Sequence, residues 1–135
     1  MIRGFTCHNR NNIVNVQPNK PIIFDIVISN YGSGYNPSTG IFKADKSGWY
    51  SFFYNIRVIS GNHICWIDLV RNSARISTVF AQSGESGFHH ISDSSMAFIH
   101  LNVDDRVWLH SVKVDIAECS IDDLSSFAGF LLNVV

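Results

Sequence analysis

Six histidines offer the most obvious chemistry in this chain, because imidazole both binds metals and titrates near neutral pH: His8, His63, His89, His90, His100 and His110. His89 and His90 are adjacent, so on a strand they project to opposite sides and are badly placed to grip one ion. His100 and His110 fall on segments that read as strands, and pairing of those strands would bring the two imidazoles within cross-strand reach. The simpler expectation is polar groups on a solvent face or at a subunit seam. Nucleophilic chemistry has less support. Gly84-Glu-Ser-Gly87 is one residue short of the Gly-x-Ser-x-Gly elbow. Gly32-Ser-Gly34 is followed by no lysine at the spacing a phosphate loop requires. The carboxylate pairs Asp104-Asp105 and Asp122-Asp123 read as solvated turns. No converging set of groups suggests an enzyme.

Three cysteines, Cys7, Cys65 and Cys119, allow at most one bridge. None has the Cys-x-x-Cys spacing of a structural zinc site. The expectation is that all three are small buried apolar residues; a single disulfide would instead point to an oxidising compartment.

The bulk numbers set the frame that must position any site. A chain of 135 residues fits one domain, residues 1–135, and is long enough to bury a core without staples. With 46% hydrophobic and only 16% charged residues, disorder is not expected. Ten Lys and Arg against eleven Asp and Glu leave a net charge of -1, with the basic residues scattered. Nucleic acid and membrane insertion are therefore not expected as partners. The opening residues 1–7 lack the apolar stretch of a secretory leader.

Period-two alternation dominates the chain. In Pro21 to Ser29, Ile22, Phe24, Ile26 and Ile28 share a face; in Trp49 to Val58, Tyr50, Phe52, Tyr54, Ile56 and Val58 do. Ile64 to Val70, Met96 to Leu101, Arg106 to Val114 and Phe127 to Val134 continue the pattern, each reading as a half-buried strand. Turn-forming stretches separate them, such as Asn36-Pro-Ser-Thr-Gly40 and Asp45-Lys-Ser-Gly48. Many short strands punctuated this often predict an all-β sandwich or jelly roll. Some strands carry bulky groups on both faces. Trp49 and Phe53 oppose the predicted core face of their strand, as Trp108, Val112 and Val114 do on theirs. A second apolar face predicts burial against other subunits.

Several ordered segments carry a resemblance. Gly4-Phe5-Thr6 opens it, and Phe24 to Asn30, Gly34 to Phe42, and Gly48-Trp-Tyr50 with Phe52 form its most diagnostic stretch. Leu69 to Asn72, Leu101 through Asp105 to Trp108, and Ser126 to Leu132 complete it. Together these are similar to the globular head domain of complement C1q, a branch of the C1q and tumour necrosis factor superfamily. The resemblance implies a ten-strand jelly-roll β-sandwich with Greek-key topology, packed as a homotrimer and secreted. It also implies that Phe42 and Tyr50 enter the core and that Gly129 permits close packing beside Phe127. No Gly-X-Y stalk is present, which fits a head-only form or an excised fragment.

Stand-alone heads of this kind resemble the lectin-like innate-immune proteins of invertebrates such as bivalves, which implies recognition of a microbial carbohydrate or lipopolysaccharide. The alternative is a cytokine-like ligand whose receptor contacts the grooves between subunits. Binding residues concentrate on connections held by a rigid sandwich, so the loop Ser60 to His63 and the segment Glu85 to Asp93 are the candidate ligand loops. The residues singled out are Asn62, His63, Glu85, His89, His90 and Asp93. Tyr31 and Tyr35 could stack on a sugar, although Tyr35 reads better as a packing residue. Some family heads hold calcium near the trimer axis; Gln82 and Glu85 occupy the corresponding stretch, one carboxylate per chain, against the six to eight oxygens calcium takes.

Overall fold

A computed structural model describes residues 1–84 and 91–134. Its strands are β1 (Gly4–His8), β2 (Ile26–Tyr31), β3 (Tyr35–Asn36), β4 (Ile41–Lys43), β5 (Gly48–Val58), β6 (Ile64–Arg71), β7 (Ala74–Gln82), β8 (Ile91–Leu101), β9 (Arg106–Val112) and β10 (Ser126–Val134). They form two five-stranded sheets, β2-β1-β10-β5-β8 and β3-β4-β9-β6-β7, with every strand pairing antiparallel. The sheets face each other as a jelly-roll sandwich. No helix is present among the described residues.

Alternation explains why the central strands hold. On β5 the side chains of Tyr50, Phe52, Tyr54, Ile56 and Val58 are all buried between the sheets. Cys65, Ile67 and Leu69 face them from β6, and Val107 and Leu109 from β9. Phe5 is the hub of the aromatic core: its ring centroid lies 4.9 Å from Tyr35, 5.2 Å from Phe42 and 4.9 Å from Phe127. Gly129 makes that hub possible. A Cβ there would lie 2.5 Å from the Phe52 ring and 2.9 Å from the Phe5 ring, so the close approach is to those two rings as well as along the strand from Phe127.

Tyr35 packs, being 2% exposed. Its hydroxyl donates to the Phe24 carbonyl (2.8 Å) and accepts from the Phe24 N–H (3.1 Å). The Asn30 side chain clasps the Tyr35 backbone from the other side, donating to its carbonyl at 2.7 Å. These bonds lock the passage between sheets, and burial, more than the neighbouring Cys7, raises the phenol's pKa.

Four expectations are corrected. Pro21 to Ser29 is not one strand. Pro21 bridges to His110 and the Ile22 N–H donates to the Leu109 carbonyl, so this piece belongs beside β9, and the chain then crosses to β2 in the other sheet. The crossing shifts the phase: Ile22 and Phe24 are buried while Ile28 is 65% exposed. Secondly, β7 is an unforeseen strand. It is an edge strand, a bulge interrupts its pairing between Leu69 and Val70, and Phe80 points outward, so its alternation is masked. Thirdly, β9 ends at Val112, leaving Val114 in the following loop. Finally, Cys65 and Cys119 are bonded to each other, and Cys7 alone is a free, buried thiol. Their burial agrees with expectation; their pairing does not. Two residues 54 apart in sequence are joined because the loop before β10 folds back over the start of β6.

Candidate functional site

One end of the sandwich carries the Ser60 to His63 loop singled out from sequence, beside the residues that follow β7. Asn62 is exposed in a left-handed turn (φ 64°), and its N–H donates to the Gly84 carbonyl at 2.9 Å. The backbone of His63 pairs with Ser83, and its Nδ1 lies 3.2 Å from the Glu118 carbonyl oxygen, a bond that requires the proton on Nδ1. Disulfide-bonded Cys119 follows immediately, and its carbonyl accepts from the Val16 N–H at 2.6 Å. Three loops are thus tied into one rigid rim. Asn62 and His63 stand together there.

Gln82 ends β7 as an exposed carboxamide, paired in register with Ile64. Glu85, His89 and His90 lie outside the described residues. For calcium, the described part of the expected set supplies one neutral oxygen, which does not by itself make a cage. Among the described residues, no three His, Cys, Asp or Glu side chains are grouped to hold a metal. Asp93 is not a loop residue. It lies on β8 opposite Ile56, and its Oδ2 accepts the Phe80 N–H at 3.3 Å, joining the edge strand of one sheet to the edge strand of the other.

His100 and His110 are also separated, contrary to the cross-strand pairing expected. The turn between β8 and β9 carries the chain from one sheet to the other, so the two strands are not neighbours. His100 packs edge-on to Trp49, with centroids 5.4 Å apart. His110 lies opposite Asp68 on β6, with Nε2 4.0 Å from Oδ2. The turn itself is held by Asp105, whose carboxylate accepts from the Asn102 N–H (2.8 Å) and the Asn72 side chain (2.9 Å). Burial pulls the Asp105 pKa upward, but these two hydrogen bonds together with the nearby charge of Arg71 hold the group below its ordinary value.

The most extensive feature is the outward face of the β2-β1-β10-β5-β8 sheet. Trp49 and Phe53 stand there as expected, joined by Met96, Phe98, Phe130 and Leu132, all between 38% and 54% exposed. Trp49 stacks on Phe98 (5.1 Å) and Phe53 on Phe130 (6.1 Å). Phe98 and Phe130 both sit in register with Ser51, so the rings form a continuous layer across three strands. Towards the loop rim the same face turns polar, with Asn55 accepting from the Ser94 hydroxyl at 2.8 Å and Arg57 paired to Asp122 at 3.0 Å. Sequence reading found two members of this layer. The others were hidden because their alternation reads equally well as core until the phase of β8 and β10 is known.

Two clefts lie outside the apolar layer among the described residues. One, of about 560 Å³, lies at the opposite end from the rim and includes Asn36, Thr39, Lys43, Asp104 and Arg106. The other, of about 420 Å³, lies beside the disulfide among Val16, Pro18, Ile64, Val112 and Ile116.

The comparisons with known proteins agree with this architecture. In fold the chain is similar to the globular domain of zebrafish complement 1qA protein (TM-score 0.78, 19% identity, 98% of this chain and 99% of that one). It is likewise similar to murine APRIL at pH 5.0 (TM-score 0.71, 13% identity, 97% and 98%). In sequence it is 38% identical over 118 residues to the mouse complement C1q tumor necrosis factor-related protein 7, covering 84% of this chain and 39% of that protein. It is 33% identical over 117 residues to the Bos taurus protein HP-25 homolog 1, covering 86% and 52%. The chain thus spans about half or less of the length of these curated relatives. The C1q domain model matches residues 4–132, nearly the whole chain. With that match, and with the sandwich and its aromatic outer layer in place, the chain belongs to the C1q domain family.

Proposed function

We infer that this domain is an extracellular recognition module that assembles as a homotrimer and binds a microbial glycan or lipopolysaccharide through the loops of its rim. The observation that carries the assembly is the layer of Trp49, Phe53, Met96, Phe98, Phe130 and Leu132 on one sheet. A contiguous apolar surface of this kind is the signature of a protein interface, and a closed three-fold arrangement presents three copies of every loop on one rigid body. The Cys65–Cys119 bridge supports an oxidising, extracellular setting. The role is binding rather than catalysis. Three weak sites acting together give useful strength through effective concentration, and the rim around Asn62 and His63 is stiff enough to present them.

The test joins two measurements on the same preparation. Light scattering reads the mass of the particle, and a glycan array with whole bacteria reads binding. A trimer that binds sugars or bacteria is expected; a monomer, or a trimer that binds neither, refutes the reading. The 38% identity to the complement C1q tumor necrosis factor-related protein supports a second reading, a cytokine-like ligand for a cell-surface receptor. Capture of a cell-surface protein unaffected by competing sugars would select it.

A further inference from the structure

The outward face of the second sheet holds a carboxylate in an unusual condition. Asp68 points away from the core, between the inward-facing Ile67 and Leu69 of β6, yet it is only 5% exposed. Its cross-strand neighbours are His110 on β9 and Thr78 on β7. Oδ1 accepts the indole N–H of Trp66 at 3.0 Å. Oδ2 lies 4.0 Å from Nε2 of His110, beyond hydrogen-bond range. A carboxylate can take about four such contacts, and among the described residues Oδ2 has no partner within hydrogen-bond range. Nothing in the packing of the core requires an acid here, because the side chain faces outward.

The neighbours decide what would complete it. In the next row lie Trp66 and the 54% exposed Phe80, rings 6.4 Å apart and inclined at 61°. A ring-shaped ligand can rest on that aromatic surface while its polar edge reaches the Asp68–His110 pair. A hydroxyl oxygen about 2.8 Å from each partner spans a 4.0 Å gap, donating to Oδ2 and accepting from Nε2 when that nitrogen carries its proton. An ammonium group would also suit an acid among aromatic rings. However, an imidazole N–H at the same point opposes a cation and favours a group that both gives and accepts.

We propose that Asp68, His110, Trp66 and Phe80 form a saccharide subsite on this sheet, in which a neutral pyranose rests on the exposed Phe80 ring against the Trp66 indole and one of its hydroxyls bridges the acid and the imidazole. It rests on the reading of the domain as a glycan binder, but it places a contact on the sheet face, away from the rim loops.

Two experiments test it. On a glycan array, Asp68→Asn, which keeps an acceptor for Trp66, lowers affinity for the bound glycans about tenfold, the scale for losing a hydrogen bond to a charged group. Phe80→Ala, at an exposed position that cannot disturb the core, lowers it severalfold. In solution, methyl glucoside, methyl galactoside or methyl mannoside shifts the indole N–H resonance of Trp66. Should the array signal survive both substitutions unchanged, this subsite is wrong while the glycan-binding reading stands. No array binding by the unaltered protein, with no response of Trp66 to any glycoside, sinks both. A Trp66 response to tetramethylammonium but to no glycoside overturns the ligand class. If Asp68→Asn fails to fold, Phe80→Ala and the resonance still decide.

Discussion

On the outward side of β5, β8 and β10, six large apolar side chains surround Ser51, with His100 against Trp49, whereas the outward side of β6, β7 and β9 interrupts its aromatic residues with a buried acid beside an imidazole. Both faces come from strands whose other side fills the same core. The first can be satisfied only by another apolar surface, and a second copy of the chain supplies one. The second has polar groups already committed to specific geometry, so flat apolar contact would strand them. In the proposed assembly the two sheets divide the work: the first closes on sister subunits and the second faces solvent.

The largest expected effect comes from breaking the first face. Phe98→Asp together with Phe130→Asp should convert the trimer to a monomer by light scattering, with array avidity falling by about 10²–10⁴. The same kind of change on the other face, Phe80→Asp, should leave the mass unaltered, and a change in mass there would erase the distinction. Replacing Cys65 and Cys119 by alanine comes next. Opening a 54-residue separation costs about 4 kcal/mol on a chain-entropy account, seen as a melting point lowered on the order of 10 °C. The trimer should persist, because the bridge supports β6 and the rim rather than the apolar layer. Gly129→Val should cost about 1–3 kcal/mol by driving a side chain into Phe52 and Phe5, read by chemical denaturation.

The smallest effect lies in pH. Burial, partly offset by hydrogen bonding to Tyr35 and to the Phe127 carbonyl, pushes the Cys7 thiol up from 9.0 to about 12. Between those values the folded state holds a proton that the unfolded state has released, so stability is full below about pH 9 and falls as pH rises towards 12. Cys7→Ala should flatten part of that decline in thermal melts. In the native protein at pH 8, Cys7 should resist a thiol reagent that labels the unfolded chain at once.

Much of this was legible in the residues, and the exceptions share a cause. β5 reads correctly because it is paired along both edges and backs the core throughout, so nothing disturbs its alternation. β7 fails because an edge strand with a bulge has few neighbours to enforce a period. The Cys65–Cys119 pairing and the separation of His100 from His110 depend on which strands become neighbours, and local sequence does not encode that. Asn62 and His63 lie in one turn because they are adjacent, while Asp93, assigned to a loop, belongs to a strand. Asp68 drew no notice because an acid in mid-strand looks hydrated. Only the flanking strands reveal that it is buried.

The bond from the Phe80 amide to Asp93 carries one more consequence. Sandwich margins expose rows of unsatisfied backbone donors, and such rows invite strand-by-strand polymerisation. A single carboxylate reaching across the seam occupies one of those donors and staples the open side shut. That removes one donor from the row that edge-to-edge pairing would use, which fits the proposed closure through the apolar layer better than open-ended growth.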